Sequence, residues 1–367
     1  MPSPEILKET EWTMTVCNAC RYCEGFCAVF PAMELRRIFS EPDLIYLANL
    51  CHNCRGCYYA CQYAPPHEFA VNVPKTFGRL RLEIYRELAW PRFMAGLFRR
   101  NGLAVALITL VSVAAVLLLT LAGREPAVVF AVHSGRDAFY RVIPYWLMVL
   151  PLSALGLGVL AALIQSGLAY WRKTGGDLPE LLKLWPHLKA VGDVLRLRYL
   201  AGGGHGCNYP DEAFSMLRRW LHHLVFYGFL LCFTSTAIAF LYEHWLDLSA
   251  PYPLWSWPVA LGASGGVGLL IGTGGLLYLK SRMDRTPAAP LALGMDVGFL
   301  ASLFLTGLTG LLLLILRETP AMGVLLALHI GVVVGLFITI PYGKFVHGLY
   351  RYAALVRNAI EQSRGKI

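Results

Sequence analysis

Polar residues gather into blocks along this chain, and between the blocks lie six stretches nearly free of charge, at about 103–121, 143–170, 222–242, 257–279, 292–316 and 321–342. A helix needs about 20 consecutive apolar residues to cross the hydrocarbon of a bilayer, so each stretch predicts one crossing. The second is long enough to tilt or to be bent by Pro144 and Pro151. The fourth carries "GASGGVGLLIGTGG", poor helix material in water but suited to close helix packing in lipid. A buried core helix in a large soluble protein accounts for one such segment, not for six. The expected fold class is all-α, a smaller helical N-terminal domain followed by a six-helix transmembrane bundle.

Composition agrees. Of 367 residues 56% are hydrophobic and 15% charged, too apolar for an ordinary soluble domain. The net charge of +9 is unevenly placed. All but four of the 32 Lys and Arg residues fall before the first span, in the loops after the second and fourth, or in the tail; the exceptions are Arg124, Arg136, Arg141 and Arg317. Lys and Arg in short loops stay on the cytoplasmic side, so both termini are expected there, in a bacterial inner membrane. The basic balance is thus a topology signal and not a nucleic-acid footprint.

The opening "MPSPEILKETEW" has neither the apolar core nor the cleavage site of a signal peptide. The cysteines that follow are therefore expected in a reducing compartment, which argues for metal binding over disulfides. Two runs, "CNACRYCEGFC" and "CHNCRGCYYAC", share the spacing Cys-x2-Cys-x2-Cys-x3-Cys. In the bacterial two-cluster ferredoxin pattern, the fourth thiolate of each run ligates the other cluster. The expected sets are Cys17, Cys20, Cys23 and Cys61 for one [4Fe-4S] cluster, and Cys51, Cys54, Cys57 and Cys27 for the second; zinc is the alternative metal. Proline does not directly follow either fourth cysteine, and the residues between Cys27 and Cys51 look helical, so the variant is a helical dicluster ferredoxin-like domain. Cys232, inside the third span, reads as a small apolar filler, and Cys207, in "GGGHGCNYP", as part of a glycine-rich turn.

Histidines supply a second redox signal, because imidazole is the standard axial ligand of b-type haem and is uncommon in bilayer helices. His222 and His223 open the third span, while His329 and His347 stand eighteen residues apart at the sixth, which on one continuous helix is five turns and about 27 Å on a single face. An inner haem is expected between His347 and either His222 or His223, with His223 preferred. An outer haem would need His329 with His244 or His133. For His187 and His205 a satisfied structural role is the better reading.

The double cysteine run, the six spans and "RRWLHHLVFYGF" together resemble the tricarballylate or citrate utilisation protein B family (TcuB/CitB), also seen as the C-terminal half of the cobalamin-pathway protein CobZ. The resemblance covers essentially the whole chain. It implies a membrane electron-transfer protein, an oxidoreductase subunit that reoxidises the FAD of a partner dehydrogenase, tricarballylate dehydrogenase in the best match, and passes electrons through iron–sulfur clusters and haem b to quinone. The span histidines more distantly resemble the gamma subunit of respiratory nitrate reductase. There one helix carries two histidines about three turns apart, whereas here Cys232 lies ten residues beyond His222.

No G-x-G-x-x-G opens a strand-turn-helix unit, so the donor flavin is expected on another chain, a cytoplasmic FAD-dependent dehydrogenase. Arg21, Arg36, Arg37 and Arg55 are candidate docking charges. The expected domains are 1–78 (iron–sulfur), 79–102 (an amphipathic interfacial helix) and 103–367 (the haem-bearing membrane domain). Two other functions use the same parts: a quinol-oxidising subunit feeding a cytoplasmic reductase of heterodisulfide-reductase type, and a redox-sensing membrane iron–sulfur protein.

Overall fold

A computed structural model describes residues 2–364. The first domain is built from α1 (Pro4–Cys20), α2 (Val29–Glu34), α3 (Glu41–Leu50), α4 (Gly56–Tyr59) and α5 (Val73–Leu88). Local sequence sets their ends. The Ser3 hydroxyl accepts the Ile6 N–H ahead of Pro4 at the start of α1, Ser40 and Asp43 form a capping box on α3, and the Asn72 side chain accepts the Lys75 N–H on α5. Arg21 stops α1 in a left-handed conformation, its N–H returning to the Cys17 carbonyl.

The core of this domain joins Met14, Met33, Leu47 and Phe77, each fully buried. Helix α5 supplies Leu80, Ile84 and Tyr85 to it as well. The interfacial helix expected at 79–102 is therefore a correction: α5 straddles the expected boundary at 78 and buries Leu80, Leu82, Ile84, Tyr85 and Leu88, because its apolar stripe is covered by α1 and α3 instead of lipid.

The bundle follows. Helices α6 (Asn101–Gly123), α9 (Tyr145–Lys173), α11 (Leu217–Trp245), α12 (Trp257–Arg282), α13 (Pro290–Ile315) and α14 (Met322–Thr339) are long and apolar enough to cross a membrane. Short helices α7 (Pro126–Val129) and α8 (Ala138–Val142) lie between the first two of these, and α10 (Leu184–Leu195) precedes a two-residue ribbon of β1 (Cys207–Asn208) and antiparallel β2 (Phe214–Ser215). Outward faces expose Leu110, Leu118 and Leu119, as lipid-facing helices do.

Small residues let α11 and α12 approach closely. A Cβ on Gly265 would lie 2.7 Å from the Gly228 carbonyl oxygen, and one on Gly272 would lie 2.8 Å from that of Leu221. The Gly-rich fourth span thereby packs closely on α11, the helix that carries His222.

The last helix, α15 (Val346–Arg364), leaves the bundle. Ile340 is still helical, but Pro341 has no N–H to continue the ladder, and α14 ends at Thr339. After the turn at Gly343, α15 packs on α3, α9 and α10, with Val346, Tyr350 and Leu355 entering the first domain's core. Arg36 ties the two ends of the chain by pairing with Asp43 and with Glu361, each at 2.6 Å. Residues 346–364, expected in the membrane domain, thus complete the first domain's core.

Candidate functional site

Two chambers lie side by side in the first domain. The outer one, about 240 Å³, is lined by Cys17, Cys20, Cys23 and Cys61, together with exposed Tyr22 and Gln62. The inner one is narrower and is lined by Cys27, Cys51, Cys54, His52 and Asn53. Cys57 borders both. Each run of cysteines thus sends its last member to the other run's chamber.

Local structure produces that exchange. Cys17 and Cys20 lie one turn apart on α1, and Cys51 caps α3. Asn53 and Arg55, both in the left-handed region, fold the Cys51–Cys57 stretch back tightly. The short helix α4 then carries the chain across to Cys61.

Burial, and after it the thiols of Cys61, Cys23 and Cys20, pushes the Cys17 thiol up to about 12. Burial, then Cys54 and Cys51, pushes Cys27 up in the same way. Thiols raised in this manner become thiolates only when a cationic group replaces their protons. Among the described residues no three His, Cys, Asp or Glu side chains converge closely enough for one metal ion. The outer sulfurs surround a volume, an arrangement that fits a cluster better than zinc; the inner thiols, on the same spacing, close on a much tighter space.

Below the inner chamber two imidazoles face each other. The ring centroids of His222, on α11, and His347, at the start of α15, are 6.3 Å apart. Two imidazoles bound through nitrogen at about 2.0–2.1 Å on opposite sides of one metal have centroids roughly 6.4 Å apart. The Nδ1 of His347 donates to the Lys344 carbonyl, which leaves Nε2 for a ligand. Burial, then Arg351 and Lys344, holds the His347 imidazole well below its usual range and so neutral, the form that binds iron. The Nδ1 of His222 is buried and unpartnered among the described residues. Phe229, two turns beyond His222 on α11, meets Phe345, two residues before His347, with ring centroids 5.6 Å apart.

The model of citrate utilization protein B matches residues 96–366. The chain belongs to that family. The Fer4-like domain of the same family matches residues 10–87. Citrate utilization protein B of Escherichia coli is 46% identical over 359 residues, covering 98% of this chain and 93% of the relative. No solved structure matches.

In this family member several expected residues stand elsewhere. His223, the preferred partner of His347, instead stacks on Tyr227 and faces Trp220, because adjacent residues on a helix point about 100° apart. The break at Pro341 puts His329 and His347 on different helices, so the single-face spacing expected of them does not hold. Nor does the structure bring the outer histidines together. His329 Nδ1 lies 2.9 Å from the Thr309 hydroxyl, His244 stacks on Phe240 and contacts the Tyr145 hydroxyl, and His133 bonds the Val128 carbonyl at 2.7 Å. Each has a local hydrogen-bond partner. His187 likewise bonds Tyr352 and the Leu181 carbonyl.

Of the docking candidates, Arg21 and Arg37 are exposed, whereas Arg36 is paired internally and Arg55 is 2% exposed. Cys207 is fully buried, with Asn208 N–H bonded to the Cys54 carbonyl, so the turn "GGGHGC" packs against the inner chamber. Sequence reasoning passed over Asp296, which pairs with Lys280 at 2.6 Å and Lys344 at 2.7 Å. It also passed over Arg81, Arg218 and Arg351. The signal available was spacing: Arg218 and Arg351 stand four residues from His222 and His347.

Proposed function

We propose that this chain is the membrane electron-transfer component of citrate or tricarballylate utilisation. It takes electrons from the reduced FAD of a cytoplasmic, tricarballylate dehydrogenase-like partner and delivers them to the quinone pool of a bacterial inner membrane, both termini facing the cytoplasm. The observation that carries the reading is the stacking of two four-cysteine chambers on an imidazole pair at the mouth of a six-helix bundle. Cys17, Cys20, Cys23 and Cys61 would hold one [4Fe-4S] cluster, Cys27, Cys51, Cys54 and Cys57 a second, and His222 with His347 one haem b. Bound there, these groups supply one-electron carriers between a two-electron flavin and quinone.

The chain's own residues order the route. The outer chamber opens to solvent beside Tyr22, where a partner's flavin can approach. Cys57, shared between chambers, makes the first transfer short. His52, whose ring is bonded through Nδ1 to the Leu50 carbonyl, lies in the inner loop within electrostatic reach of His222.

The test is the anaerobic optical and EPR spectrum of detergent-purified protein, with iron, sulfide and haem counted per chain. About eight non-haem irons and one b haem are expected. Zinc in place of iron overturns the cluster assignment. Eight irons without haem leave the histidines structural and send electrons from cluster to quinone directly.

A further inference from the structure

The loop Cys51–His52–Asn53–Cys54 is held by arginines. Arg351 Nη2 donates to the Cys51 carbonyl at 2.8 Å. Arg81 Nη1 donates to the Ala48 carbonyl at 2.6 Å and to that of Cys51 at 3.3 Å. Arg218 Nη1 donates to the Asn53 carbonyl at 2.6 Å and lies 3.8 Å from Cys207 Sγ. Arg55 donates to the Asp284 carbonyl at 3.0 Å and to Met283 Sδ, its guanidinium over the Tyr209 ring at 4.5 Å. All these bonds go to carbonyls or sulfur, none to a carboxylate. Arg55 and Arg81 are buried, Arg218 and Arg351 half-buried. Cations placed so, with no carboxylate in direct contact among the described residues, are costly unless a negative group sits among them.

Their positions in the chain add a second regularity. Arg218 precedes His222 by one turn on α11, and Arg351 follows His347 by one turn on α15, so each helix of the imidazole pair sends an arginine to the same loop. Among the described residues no such cage surrounds the outer chamber: Arg21 is exposed there and bonds its own turn at Asn18, and Arg79 is paired with Glu9.

We propose that Arg218 and Arg351 clamp the Cys51–Cys54 loop onto the His222–His347 pair and, with Arg55 and Arg81, hold the inner cluster at a higher reduction potential than the outer one. This rests on the cluster assignment above. A cluster ligated by four thiolates is negative in both redox states and more so when reduced, so nearby cations favour the reduced form, most strongly where the dielectric is low. Burial alone would act in the opposite sense, penalising the reduced state; the guanidinium groups reverse it. One electron then leaves the outer cluster, which is oxidised, and enters the inner one, which is reduced, with no bond broken and no proton moved. The same clamp sets the distance for the next transfer.

The test is an EPR-monitored redox titration of the full chain, purified anaerobically, in wild type, Arg351→Gln, Arg351→Lys and Arg218→Gln. Cys61→Ser assigns the signals by deleting the outer one. In the wild type the inner cluster should titrate at the higher potential. Each Gln variant should shift the oxidised-to-reduced ratio of the inner cluster at least tenfold toward the oxidised form, which is 59 mV for one electron, and move the outer cluster far less. Arg351→Lys, which keeps the charge, should recover most of the shift. Unmoved potentials with full iron overturn the proposal, as does a wild type whose inner cluster is the lower. If Arg351→Gln sheds iron, Arg55→Gln, which bonds outside the loop, carries the same test. A wild type without iron overturns the cluster assignment instead, a distinguishable result.

Discussion

Cys17, Cys20 and Cys23 look onto a chamber rimmed by exposed residues, while Cys51 and Cys54, in an identically spaced run, are each 6% exposed and ringed by arginines. The first run hangs on the free end of α1; the second is roofed by α11, α15 and the Cys207 turn. On the proposed function one spacing serves two roles, an entry open to a soluble donor and an exit pressed against the bundle helices. The chemistry of a cysteine run is set by its spacing, and its place in a relay is set by what the rest of the chain lays over it.

The strongest way to break this contrast is to cut one thiol at a time. Cys61→Ser should remove the outer cluster although Cys61 belongs to the second run, and Cys27→Ser should remove the inner one. Cys17→Ser and Cys51→Ser should do the same for the outer and inner clusters respectively. All four should abolish donor-dependent quinone reduction while the protein stays in the membrane fraction, read by iron, sulfide and EPR. Next in size, His222→Ala or His347→Ala should eliminate the haem absorbance and spare both clusters. His223→Ala should keep the haem; its loss in that variant would move the ligand back to the neighbouring residue.

A smaller effect tests the exit side's frame. Asp296→Asn leaves Lys280 and Lys344 without their shared carboxylate, at a cost of about 3 kcal/mol, measurable as earlier thermal unfolding in detergent. Because Lys344 also accepts the His347 Nδ1–H, haem retention should weaken in parallel. The smallest is Gly272→Ala, whose Cβ would meet the Leu221 carbonyl and Val225. Spreading α11 from α12 should cost about 1–3 kcal/mol and leave the outer cluster untouched.

Much of the fold was legible. Apolar runs of sufficient length announced all six bundle helices, the glycine-rich one included, because crossing a bilayer is a local requirement on length and composition. Helix starts at Ser3, Ser40 and Asn72 follow from capping chemistry within a few residues. Less legible was the fate of amphipathic segments. The stripe of α5 suits a membrane surface or a protein core equally well, and only the presence of α1 and α3 over it makes it core. Arg36 and Arg55 read as surface charges for the same reason: a basic residue carries no local mark of the carboxylate or carbonyl that will enclose it.

By itself, then, the sequence determined the spans, the helix caps and the presence of two four-cysteine runs, all properties of neighbouring residues. Tertiary structure decided which thiols share a chamber, that His222 and not His223 meets His347, and that α15 turns back from the bundle to close the first domain. Those outcomes depend on contacts between residues as much as 325 positions apart, such as Arg36 with Glu361, which no local periodicity encodes. They are selected by whichever packing buries the apolar faces and satisfies the buried polar groups together.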